Sequence, residues 1–170
     1  MKEDSHPLRT AYLDIETSFH GEITVVGVYY PPDELIQLVG DEIHRSNLIR
    51  ALDMADQVCT YSGSRFDLPV IRRHTGFDVA KFCLHRDLMY DCWRHGLKGG
   101  LKRVEELLGI TRDSAGMNGM DAMRLWEAYR TGRDVEALKL LLQYNRDDVV
   151  NLDILDSELR KMSSAACSEE

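Results

Sequence analysis

Two carboxylates sit two residues apart inside an apolar run: Asp14 and Glu16 in AYLDIET, residues 11–17. An ionised carboxylate buried without a partner normally shifts its pKa or is expelled. On a strand the two side chains share one face, about 7 Å apart. Leu13 and Ile15 then point the other way, into a core. Like charges on one buried face repel unless a cation lies between them. The spacing suits a hard divalent ion such as Mg²⁺ or Mn²⁺, which takes oxygen ligands. The alternative is that one acid only caps or ion-pairs at the strand end.

Two further stretches raise the same question. In YSGSRFDLPVI (61–71), Asp67 stands at the entry to a helix, where exposed N–H groups and the helix dipole favour a carboxylate. Taken alone, Asp67 reads as a helix cap. In LLQYNRDDVVNL (141–152), Tyr144 and Asp148 are four residues apart and neighbours on a helix. Asp148 shares its face with Leu141, Leu152 and Leu155, the side that should pack inward. Asp147 lies about 100° round and is assigned to solvent. An ordinary hydrogen-bonded Tyr–Asp pair accounts for Tyr144 and Asp148 equally well.

The elements that must position these groups alternate along the chain. AYLDIET and GEITVVGVYY (21–30) read as strands joined by a short polar loop, hence as a hairpin-type pair. PDELIQLVG (32–40) is a third strand or a connecting turn. Residues 42–55 carry helical spacing, 57–63 a strand, and 66–76 a helix with Pro69 in its first turn and Gly76 past its end. The segment 82–97 is mixed, while 100–110, 119–132 and 135–162 read as helices. Strands first, then alternation, then a helical last third predict an α/β domain with a mixed sheet. Residues 1–8 and 163–170 read as flexible tails around a domain at 9–162. Phe66, Trp93 and Trp126 are expected in packing roles, although Tyr61 or Phe66 is also placed to stack on a base. Asp87 either backs the site or caps a helix.

The chain has 170 residues and 44% hydrophobic content, enough for one sizeable core. No apolar run reaches the roughly 18 residues of a membrane span, and the charged start lacks the apolar stretch of a signal peptide. Four cysteines without a CxxC or framework spacing read as reduced thiols of a cytoplasmic protein. Cys83, His85, Cys92 and His95 match no usual zinc pattern. Net charge is −8, yet residues 65–103 hold nine basic and four acidic side chains. A local basic patch can hold a polyanion on a globally acidic protein; a solvated charged face explains the same count.

Together, D-x-E on a first strand, then G-x-x-F-D, then Y-x-x-x-D on a C-terminal helix resemble the DEDD superfamily of 3′–5′ exonucleases, in the subgroup with a tyrosine third motif. GEITVVGVYY and HRDLMYDCW…LKRVEELLGI…YNRDDVVNL follow the layout of its small stand-alone branch. The resemblance implies a ribonuclease-H-like fold, a mixed β-sheet flanked by α-helices. It implies two divalent cations, Mg²⁺ or Mn²⁺, held by Asp14, Glu16, Asp67 and Asp148, and hydrolysis of phosphodiester bonds at single-stranded DNA or RNA ends. Tyr144 would orient the attacking water, its ordinary pKa near 10 suiting a hydrogen-bonding guide better than a base. The substrate strand would lie against Thr17, Ser62, Arg65, Arg72, Arg73 and Arg146. One position departs from the pattern: Ser62 stands where an Asn is common, with shorter reach and no amide donor.

Two other readings compete. An Asp14-nucleophile phosphatase would want a second Asp where Glu16 stands. A catalytically silent ribonuclease-H-like module would bind nucleic acid or a partner protein, yet would have no reason to keep four unpaired acids. No segment identifies a protein partner.

Overall fold

In a computed structural model the described residues are 8–167, so the expectations for residues 1–7 and 168–170 fall outside them. Five strands form a mixed sheet in the order β3-β2-β1-β4-β5. The first hairpin is as expected: β1 (Thr10–Thr17) pairs antiparallel with β2 (Ile23–Tyr30). The ambiguous third segment is a strand, β3 (Glu34–Val39), antiparallel to β2 at the sheet edge. On the other side β4 (Gln57–Thr60) and β5 (Leu84–Asp87) run parallel to β1. Parallel neighbours need crossovers, and helices supply them: α1 (Arg45–Leu52) before β4, then α2 (Asp67–Thr75) and α3 (Val79–Phe82) before β5. After β5 come α4 (Leu88–Arg94), α5 (Leu101–Leu108), α6 (Gly119–Gly132) and α7 (Val135–Cys167). The last helix runs five residues beyond the expected 162.

Period-two alternation along β1 sorts the two layers. Ala11, Leu13 and Ile15 join a core with α1, α2 and α3. Tyr12 faces the opposite core, built with α4, α5 and Leu152, Leu155 and Leu159 of α7. Asp14 and Glu16 share Tyr12's face, so both carboxylates point toward α7. The mixed segment 82–97 holds a four-residue edge strand followed at once by α4, too short for either period to show. None of the described helices is long and apolar enough to cross a membrane.

Candidate active site

Past Tyr12 the β1–β4 ladder stops, leaving the N–H of Ile15 without a strand partner. The Asp67 carboxylate at the start of α2 accepts that hydrogen bond at 3.1 Å. Asp67 is thus buried beside the D-x-E pair as the first residue of α2, whose cap position is Phe66 and carries no side-chain cap bond. From the other side α7 brings Asp148 in. Carboxylate oxygens of Asp14, Glu16 and Asp148 lie within 4.8 Å of one another, the sole group of three potential ligands so placed among the described residues. The register with β2 shifts by one residue between Glu16 and Thr17, leaving Thr24 of β2 unpaired beside the site. Thr17 is buried at its end.

Crowding shows in the proton affinities. Burial, then the charges of Asp67 and Glu16, raise the Asp14 carboxyl well above the usual range. Burial and Asp67 push Glu16 up to about 8. Burial pushes Asp67 up to about 7, against the backbone hydrogen bonds that lower it. The buried Tyr144 phenol is raised by burial and then by Glu16 and Asp14, so it stays protonated at neutral pH.

Several groups of the site were not foreseen. Arg112 has a side chain only 9% exposed, with Nε 2.9 Å from Glu105 and a terminal nitrogen donating to Asp148. Its guanidinium also lies 5.6 Å from the Tyr144 ring centre, and the Lys102 ammonium lies 4.3 Å from it. Asn145 is fully buried and donates to Asp14 Oδ2 at 3.3 Å. Gln37 donates to Asn145 Oδ1 at 3.0 Å. Gly27, the ladder partner of Asp14, makes room: a Cβ there would sit 2.3 Å from Asn145 Oδ1. A glycine opposite the acidic position of a strand is the one local hint of this approach.

Three assignments are corrected. Asp147 is buried, not solvated: it accepts from Ser114 N at 2.7 Å and from Gln143 Nε2 at 2.8 Å. The loop 110–118 covers that side of α7, and the Asp147–Ser114 bonds fix the loop that presents Arg112. Phe66 is 49% exposed rather than core, because the tight turn before α2 carries it outward. Trp93 is likewise 41% exposed, while Trp126 packs beside Leu141 and Tyr144.

The remaining candidates scatter. Ser62 adopts φ 62°, a left-handed conformation that Asn tolerates better than Ser. Its N–H donates to Asp87 at 2.7 Å. Asp87 also takes Ser64 Oγ at 2.6 Å and caps α4 through Met89 N at 3.2 Å. Arg72, paired with Asp78 at 3.5 Å, and Arg73 line a cavity with Ser64, Pro69 and His85. Arg146 is exposed, 4.0 Å from Asp113. Cys83, His85 and His95 turn to other partners, Val79 O, Thr60 and Ser163.

The donor set fits hard divalent ions. Glu16 Oε1 is buried and has no hydrogen-bond partner among the described residues. Asp14, Glu16, Asp67, Asp148 and Glu105 are five carboxylates against the two cations Arg112 and Lys102. All ligands are oxygens, as Mg²⁺ and Mn²⁺ require.

A family profile described as RNase_H superfamily matches residues 11–160. The chain belongs to the RNase_H superfamily. Among solved structures, the family B DNA polymerase from the hyperthermophilic archaeon Pyrobaculum calidifontis superposes with a TM-score of 0.68 at 18% identity, over 91% of this chain and 25% of that one. The chain therefore spans a quarter of that polymerase, and the likeness is one of fold, the ribonuclease-H-like mixed sheet flanked by helices. No curated protein matches it. Within the RNase_H-superfamily fold, the acidic group sits where β1 meets α7 and the start of α2.

Proposed function

We propose that this chain is a divalent-ion-dependent 3′–5′ exonuclease of the DEDD type with a tyrosine third motif, removing nucleotides from single-stranded DNA or RNA ends. The observation that carries the reading is the convergence of Asp14, Glu16 and Asp148 within 4.8 Å, with Asp67 bonded to the strand between the first two. Membership of the RNase_H superfamily supports nuclease chemistry, and a similar fold in a DNA polymerase supports a nucleic-acid partner.

Asp14, Glu16, Asp67 and Asp148 would hold two Mg²⁺ or Mn²⁺ ions. Such ions, when bound, neutralise the phosphate and make water a stronger nucleophile. The chain's own groups do the positioning. Asn145 fixes the rotamer of Asp14, and Arg112 that of Asp148. Tyr144 keeps its proton and orients the attacking water by hydrogen bonding. The water oxygen bonds to phosphorus, the bond to the neighbouring O3′ breaks, and O3′ leaves with a proton.

The test uses 5′-labelled single strands of DNA and RNA with Mg²⁺ or Mn²⁺, comparing wild type, Asp14→Asn and Asp148→Asn. Stepwise shortening from the 3′ end, lost in either variant and with chelator, is expected. Binding without turnover by the wild type would instead make the chain a silent module.

A further inference from the structure

A basic and aromatic cluster lies on the same sheet edge as the acids and takes no part in holding them. β1, β4 and β5 are parallel, so their carboxyl ends share one edge. β1 carries Asp14 and Glu16 toward that edge, β4 leads into the turn 62–66, and β5 leads into α4. On α4, Leu88, Met89 and Cys92 are buried, which turns Tyr90 and Trp93 outward at 37% and 41% exposure. The two rings meet edge to face, 5.4 Å apart and 89° between planes. The Arg65 guanidinium lies 5.9 Å from the centre of Tyr90 and 5.6 Å from that of Trp93.

Arg65 differs from the ion-paired cations in the basic third of the chain, as Arg73 and Lys98 also do, and of these three it is the one that lies over aromatic rings. Arg72, Arg86, Arg94 and Arg103 each have a carboxylate within 4.0 Å. Arg65 has none among the described residues; its contacts are the two rings. Its Cα is at most about 7 Å from that of Asp67, two residues on. Asp87 binds the turn 62–64 to the first turn of α4, so the cluster is held in place relative to Asp67.

We propose that Tyr90 and Trp93, with the Arg65 guanidinium against both rings, form a base-stacking platform for single-stranded nucleic acid beside the acidic site. Flat exposed rings take the face of any base, and an unpaired guanidinium takes a phosphate. The platform selects single strands, since the bases of a duplex have their faces covered by neighbours. It favours nucleic acid over a protein partner because the cation is uncompensated within a stretch carrying more basic than acidic residues. The inference extends the exonuclease reading by saying where the strand behind the cut end lies.

Trp93 is itself the reporter, because the chain has two tryptophans and Trp126→Phe leaves Trp93 alone. That variant is titrated with (dT)12, rU12 and a 12-base-pair duplex, while Kd is read by anisotropy. The single strands are expected to quench Trp93, and the duplex to leave it unchanged. Trp93→Ala and Tyr90→Ala should each weaken single-strand binding at least about fivefold, with Trp93→Phe restoring most of it and melting temperatures unmoved. No quenching, equal quenching by duplex, or an unchanged Kd in Trp93→Ala overturns the platform. Strand shortening in Mg²⁺ is scored separately. Quenching without shortening sinks the exonuclease and keeps the platform; shortening without quenching does the reverse.

Discussion

Glu16 sets the chemistry at the scale of single residues. Its Oε1 has no hydrogen-bond partner among the described residues and its carboxyl is pushed up to about 8, chiefly by burial. An acid whose folded pKa lies above its ordinary value of 4.5 stabilises the fold in its protonated form. That contribution is complete below about 4.5 and is lost as pH rises through about 8. In chelator, the melting temperature is therefore expected to fall between pH 6.5 and 8.5, with Asp67 acting in the same direction. Glu16→Gln should flatten the slope, and saturating Mn²⁺ should cancel it by favouring the charged carboxylates. A slope that survives Glu16→Gln unchanged would show that the group is not buried as described. The acids were readable from sequence because each is a charge on an inward face. Arg112, Asn145 and Lys102 were not: their approach depends on the path of loop 110–118 and on a missing side chain at Gly27, neither of which has a local period.

Among the elements, β1 and α7 do most of the positioning, and their contact depends on Gly27. An added methyl 2.3 Å from the Asn145 amide oxygen would displace a fully buried side chain. Gly27→Ala is expected to destabilise the fold by about 1–3 kcal/mol. It should lower hydrolysis as well, because Asn145 can no longer hold Asp14. Chemical denaturation and strand-shortening rates measure the two effects, and a variant that keeps both values would remove Asn145 from the account. Alternation in β1, the β-branched run of β2 ended by Pro31-Pro32, and the three- and four-residue spacing of α6 and α7 made these elements legible from residue types alone. The errors fall where a face is decided by something distant. Asp147 was turned to solvent because no periodic signal announces the loop that covers it. Phe66 and Trp93 were placed inside because large aromatics normally are, whereas here a tight turn and a short helix leave them outward.

Across the whole molecule, the proposed reading reconciles a net charge of −8 with a polyanionic substrate. The negative charge that matters is gathered at the carboxyl edge of the parallel strands, where divalent ions would offset it. The basic third supplies Arg65 and its platform on the same edge. Fold class followed from the alternation of elements, and the sheet order confirms it. Convergence of acids more than 130 residues apart along the chain depends on that order and was legible only as a pattern of motifs. The most direct test is anomalous diffraction from crystals soaked in Mn²⁺. A manganese peak in contact with Asp14, Glu16 and Asp148, absent in Asp14→Asn, is the expected result. Ordered carboxylates with no manganese between them at saturating concentration would contradict the account.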